Sequence, residues 1–529
     1  MGFGARAVAA IVFLALAGSA ARGETLKFAY QGGLGGLDPY SLNETFTLTM
    51  LGNVYEGLTR LGPDMEIEPA LAHRWEILEP TRWRFHLRQD VKFHNGNSFT
   101  ADDVAFSFQR VTSAGSDLRT RIQPGLKIEI VDRHTVDFVL PTPNAILHYG
   151  WDSWYIMDKE WTEAHEAVPV NTAANSNQNH AAHHANGTGP FRITTHQTDL
   201  KTVFEPFEGW WDEARHNLTR AEFTPVASDA TRVAALLSGA LDVAYPIPVQ
   251  DMQRVEANAR TRILTAPSLR TLFLGMDQRR EELLYSNVRG KNPFKDVRVR
   301  KAFYQAINIE AIREKIMRGL STPASLLISP YLYPGAASFE RYPYDPEAAR
   351  ALLAEAGYAD GLSVTLDCPN DRYINDEAIC QAVAGFLAQI GVTVNLNILP
   401  KAQFFSKVMP TGGYDTSFYL LGWIPASLES WSLLDNLFRC RSDDGSGGVF
   451  NLGGYCNPVL DALIDQILVA TDLVERERLI NQAYTIATAD IAYLPLHQQS
   501  IAWGAADKVE VNVRPDNQFM LRLVRKRPD

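Results

Sequence analysis

Glu68-Pro69-Ala70-Leu71-Ala72-His73-Arg74-Trp75 opens the most specific stretch of the chain. It continues as Arg82-Trp83-Arg84-Phe85-His86-Leu87-Arg88, then Val91-Lys92-Phe93-His94-Asn95-Gly96 and Phe99-Thr100-Ala101-Asp102-Asp103-Val104. Apolar and polar residues alternate through it, and Asn95-Gly96 suits a tight turn because Gly accepts a positive φ without steric cost. The pattern predicts a strand pair with its turn at Asn95-Gly96. Thr100 suits the N-cap of a helix beginning at Ala101, with Asp103 against the helix's positive end. Upstream, Leu26-Lys27-Phe28-Ala29-Tyr30 reads as a first strand. Gly32, Gly33, Gly35 and Gly36 make a loop lacking the Gly-Lys-Ser/Thr of phosphate cradles. Residues 44–58 are patterned as a helix.

At 529 residues, with 46% hydrophobic and 21% charged residues, the chain has the balance of a folded soluble protein of two to four domains or lobes. Its formal net charge of −11 argues against general nucleic-acid binding. Residues 1–23 read as a secretory signal peptide: Arg6, the apolar run Ala7 to Ala17, then Gly18-Ser19-Ala20-Ala21. The run is short for a membrane span, and no lipid-attachment cysteine follows it. A periplasmic location is expected.

Within residues 68–104 the order of motifs resembles the signature of the extracellular solute-binding proteins of family 5, the peptide- and nickel-type receptors of bacterial ABC importers. Gly187-Thr188-Gly189-Pro190-Phe191 with Trp210-Trp211-Asp212, Leu236 to Val243, Asp296 to Phe303, and Tyr344 to Ala349 with Gly357-Tyr358 resemble further family motifs in the same order. The resemblance implies an α/β, two-lobed periplasmic binding protein fold of type II, of the large class with an extra subdomain. It places lobe I at 24–62 with 186–275 and 502–529, the extra subdomain at 63–185, and lobe II at 276–501. The crossings fall at Thr271–Asp277 and His497–Trp503, so His497 and Trp503 are expected at the hinge.

All four cysteines lie between Cys368 and Cys456. Short loops close at less entropic cost than long ones, so the expected pairs are Cys368–Cys380 and Cys440–Cys456. An exported compartment permits them. A search for enzyme chemistry finds a fragment of a nucleophile elbow at Gly445-Ser446-Gly447, no His-Glu-x-x-His and no Cys-x-x-Cys. No catalytic residue is assigned. His180, His183 and His184 cluster in an Asn- and Ala-rich segment, read here as a solvated loop rather than a metal site.

The ligand-binding candidates are Arg372 with its neighbours Asp371 and Tyr373, Trp423, Glu429 and Trp431. Dipeptide-binding relatives place an arginine near Arg372 to grip the ligand's carboxylate, and a guanidinium fork suits that role. Such relatives also carry Asp-Pro-Asp after Gly-Trp to meet a ligand amine. Here Gly422-Trp423 is followed by Ile424-Pro425-Ala426-Ser427-Leu428-Glu429, and Glu429 is the nearest acid. Trp423 and Trp431 offer flat apolar walls. Asn43 and Tyr55 are further candidates that the sequence leaves open. The expected role is a monomeric, cofactor-free receptor that captures a peptide or similar small polar solute by hinge closure and delivers it to a membrane permease. An oligosaccharide, an opine-like conjugate and a nickel chelate remain alternative solutes, and a periplasmic peptide hydrolase is the alternative of another class.

Overall fold

The computed structural model describes residues 24–171, 179–370, 372–425, 427–442 and 447–528. The proposed signal peptide and Asp371 lie outside them. Separate apolar cores define two lobes. The first gathers Leu26, Phe28, Trp83, Phe85, Phe223 and Trp503. The second lobe has a core on each face of its sheet, and strand alternation sorts the side chains: Leu272, Leu274, Phe418 and Leu420 point one way, Phe273, Tyr419 and Leu421 the other.

One 11-stranded sheet runs through both lobes. Its spine is the antiparallel pair Thr261–Met276 and Leu494–Ala506. On the first-lobe side, Val243–Tyr245 joins Leu494–Ala506, and Glu24–Tyr30 and Leu218–Pro225 follow. On the other side, Phe418–Trp423 pairs with residues 271–276, then Leu362–Pro369 and Val392–Leu399 extend the sheet in parallel. The spine's register shifts between Pro267 and Thr271. Before the shift Leu264 packs against the first core, and after it Leu272 and Phe273 lie in the two cores of the second lobe. On the return strand, Leu494 and Leu496 belong to the second core, and Ile501 and Trp503 to the first.

Residues 68–104 contain two chain reversals. Ala72–Glu79 pairs with Arg82–Leu87, and Thr135–Val139 and Lys127–Asp132 complete a four-stranded sheet. Asn95-Gly96 does not join these strands. It closes a short reversal with a single bridge from Lys92 to Ser98, and Gly96 sits at φ +96°. Side chains anchor that turn: the Asn95 and Asn97 amides donate to Asp158 at 2.8 and 2.9 Å. The helix Ala101–Val111 starts as expected, with the Asp103 carboxylate accepting the Thr100 N–H at 2.8 Å. This subdomain has its own sheet but shares the first lobe's core, through Trp83, Phe85 and Phe138. Two disulfides, Cys368–Cys380 and Cys440–Cys456, pin loops of the second lobe. Among the described residues, no helix is long and apolar enough to cross a membrane.

Candidate ligand-binding cleft

Leu362–Pro369 and Phe418–Trp423 are parallel neighbours, so the loops after them leave the same edge of the sheet. The carboxyl ends of parallel strands are where open α/β sheets bind ligands. A cavity of about 390 Å³ lies there, lined from both lobes. Tyr373 ties the two loops together, its hydroxyl accepting the Gly422 N–H at 2.9 Å. A Cβ on residue 422 would come within 2.8 Å of the Tyr373 ring, so this close approach requires glycine.

Two guanidiniums share that ring, Arg372 at 5.3 Å and Arg270 at 5.9 Å from its centroid. The Asp376 carboxylate accepts the backbone N–H of Arg372 at 3.0 Å and of Tyr373 at 2.9 Å. That fixes the loop and leaves the Arg372 side chain uncommitted. Among the described residues, neither Arg270 nor Arg372 has a carboxylate within ion-pair distance. Burial, and then the neighbouring Arg372 charge, hold Arg270 below the ordinary arginine range. Arg270 reaches the cavity because the spine bulges at 268–270, and a bulge re-aims side chains.

The same bulge recruits the opposite charge. The Leu269 N–H donates to the Pro515 carbonyl at 3.0 Å, docking the C-terminal segment beside the cavity. Asp516 and Gln518 then join the lining. Asp516 is already held by Arg514 at 2.5 Å. Asp152 carries the less committed carboxylate: it accepts from the Ser153 hydroxyl at 3.1 Å, and burial raises its pKa. Trp423 packs against Phe450 at 4.6 Å, and both line the cavity with Phe405 and Met409.

Of the residues singled out from sequence, Arg372, Tyr373 and Trp423 meet in this cavity. Glu429 does not, and this corrects the expectation that it meets a ligand amine. Its carboxylate caps the helix Ser430–Leu433, accepting from the N–H groups of Trp431 and Ser432 at 2.7 Å each, and pairs with Arg476 at 2.7 Å. Trp431 also lies outside the main cavity, lining a second one. Asn43 accepts from Arg121 at 2.5 Å, and Tyr55 is fully buried. His497 is buried in the return strand, opposite Leu272, and Trp503 donates to Asn517 at 3.1 Å. His183 and His184 are exposed and His180 is half-buried; His180 stacks between His165 and His184, with ring centroids 4.2 and 3.9 Å away. Among the described residues, no group of three or more His, Cys, Asp or Glu is placed to hold a metal. The sequence reading missed Arg121, Arg270, Asp152 and Asp516. They are scattered along the chain, and tertiary contacts alone bring them together.

The model for "Bacterial extracellular solute-binding proteins, family 5 Middle" matches residues 66–445. The chain belongs to this family. A glutathione-binding protein, GsiB of Salmonella typhimurium strain LT2, is 29% identical over 469 residues, covering 87% of this chain and 86% of that protein. Among solved structures, HbpA2 from Haemophilus parasuis superposes with a TM-score of 0.80 at 23% identity, over 96% of this chain and all of that one. The periplasmic binding protein DppA from Helicobacter pylori, in complex with the peptide STSA, gives 0.72 at 22% identity, over 96% and 98%. The fold is that of the two-lobed type II receptors, and the protein is a solute-binding component of an ABC importer, working outside the cytoplasm.

Proposed function

We propose that the solute is a short peptide with at least one free carboxylate, with glutathione the first candidate. The observation that carries this reading is the pair Arg270 and Arg372, two guanidiniums over one tyrosine ring without a carboxylate partner among the described residues. Placing two like charges together in a cleft is unfavourable unless an anion joins them. Arg121 adds a further cation to the lining and Asp152 an acid with room for an ammonium. Glutathione carries two carboxylates and one ammonium, which this set of charges complements, and the name of the GsiB relative points to the same molecule. The aromatic wall of Trp423, Phe405 and Phe450 covers its apolar surface.

Arg372 comes from the second lobe, Arg270 from the crossing, and Asp152 from the first lobe, so one solute bridging them favours the closed arrangement. No covalent step is required. The protein acts as a monomer in the periplasm after its signal peptide is removed, and hands the solute to permease subunits. Calorimetric titration with glutathione and with the same tripeptide amidated at its glycine carboxylate tests the reading. The free acid should bind at least tenfold more tightly. Equal binding, or no heat from either, would overturn it.

A further inference from the structure

A second cavity of about 320 Å³ lies beside the first, and Arg121 lines both. It too is an interlobe space. Ile146, Leu147 and Trp151 face it from the first lobe, and Trp431 and Leu468 from the second. Its rim is bolted where the Ala145 N–H donates to the Leu468 carbonyl at 2.9 Å. Among its described lining residues, Arg121 carries the one formal charge. The amides present satisfy neighbours: Gln123 donates to the Thr142 hydroxyl at 2.9 Å and accepts from Asn144 at 3.3 Å. The chamber is therefore built for uncharged, largely apolar matter, in contrast to the charged chamber next to it.

Arg121 is held in place between them. Its guanidinium donates to the Ser153 hydroxyl at 2.8 Å and to the Asn43 amide oxygen at 2.5 Å. Ser153 lines the first cavity and Gly150 the second, so one short turn of chain serves both. At Gly150 an added Cβ would meet nothing within 4 Å. A side chain at this lining position therefore has open space to enter.

We propose that the second chamber is a subsite for an apolar arm of the solute, passing beside Arg121, and that the receptor accepts peptides carrying a bulky uncharged substituent. This rests on the peptide reading of the first chamber. Gly150→Leu adds a side chain at the wall of the second chamber, and Gly150 is not part of the first chamber's lining. Calorimetry on wild type and Gly150→Leu would use glutathione and its S-benzyl thioether. Thermal melts would verify that both proteins fold. We expect the variant to bind glutathione within twofold of wild type and to lose tenfold or more for the thioether. Equal changes for both ligands, or none for either, would overturn the subsite. If neither ligand binds wild type, the peptide reading fails and the chamber is judged separately, by saturation-transfer NMR with toluene. Transfer in wild type that Gly150→Leu abolishes would support an apolar subsite. No transfer, or equal transfer, would refute it.

Discussion

Arg372 and Glu429 stand on loops that leave the same edge of the same sheet, and each bears a charge suited to one end of a peptide. Their surroundings differ in kind. Glu429 is 6% exposed, with two backbone N–H groups and the Arg476 guanidinium on its oxygens. The Arg372 side chain is exposed at a cavity, lies over Tyr373 and has no acid paired with it among the described residues. A buried charge fully satisfied by its own fold has no free energy left to offer a ligand. A fixed charge whose loop is anchored through its backbone does. The difference teaches that the partners of a charged group, more than its position in a motif, separate structure from recognition.

The largest effect should come from breaking the Glu429 side of this contrast. Glu429→Ala leaves Arg476 buried and unpaired and uncaps a helix, so unfolding free energy should fall by about 3–5 kcal/mol. Denaturant titration measures it. Glu429 and Arg476 share one interaction, so the double variant should lose clearly less than the sum of the two singles. Ligand affinity of the folded protein should barely move. A strong affinity loss with unchanged stability would reverse the two roles.

Arg372→Ala should do the opposite: the melting temperature holds while glutathione affinity drops by about 2–5 kcal/mol, because a buried ligand carboxylate loses its mate. Arg372→Lys should recover part of that, since an ammonium cannot reproduce the planar fork. The glycine-amidated tripeptide should lose far less than the free acid on the same mutation. Equal losses would mean that Arg372 does not touch the carboxylate.

The family fold was legible because its signals are local and repeated: motifs in fixed order, alternation within residues 68–104, and cysteines at short spacing. Arg372, Tyr373 and Trp423 were legible as motif neighbours. Glu429 was misplaced because the sequence shows an acid near Gly-Trp but not Arg476, which reaches it from a distant helix. Arg270 depended on a bulge, and Asp516 on the docking of Pro515 against Leu269; neither leaves a periodicity to read. The Asn95-Gly96 reversal was legible because the dipeptide specifies a turn, while the length of the pairing beside it, one bridge from Lys92 to Ser98, was not.

His497 extends the contrast to a buried group without a hydrogen-bond partner among the described residues. Among the described residues neither of its ring nitrogens has a hydrogen-bond partner, and it is fully buried in the return strand. Burial, with a smaller contribution from the Arg341 guanidinium, lowers its pKa to about 4. Between pH 6.5 and about 4 the unfolded chain binds a proton there that the folded chain refuses. Stability from this site is thus fully present above pH 6.5 and is lost as pH falls through that window, by up to about 3 kcal/mol. His497→Gln should flatten that part of the stability profile measured by urea titration across pH. An unchanged slope would show that His497 keeps no proton out.

Gly422 supplies the smallest and most diagnostic test, because it joins the two loops without carrying a charge. Its N–H donates to the Tyr373 hydroxyl, and its missing Cβ leaves space for the Tyr373 ring, 2.8 Å from where that carbon would sit, with Leu272 at 3.1 Å. Gly422→Ala must push the ring edge aside, since Leu272 crowds the same space. Overpacking of this kind costs about 1–3 kcal/mol where a core cannot yield, and a ring at a cavity wall can yield in part, so about 1 kcal/mol of stability is expected. The displaced ring carries Arg270 and Arg372 with it, so affinity for the free-acid tripeptide should fall by roughly the same amount. Trimming the ring while keeping the alanine separates the two effects. In Gly422→Ala with Tyr373→Leu the steric cost should disappear, but the affinity should not return, because the platform under both guanidiniums is gone. Recovery of affinity in that double variant would show that the arginines hold their places without the tyrosine, and the cavity would then owe its shape to the Asp376 clamp alone.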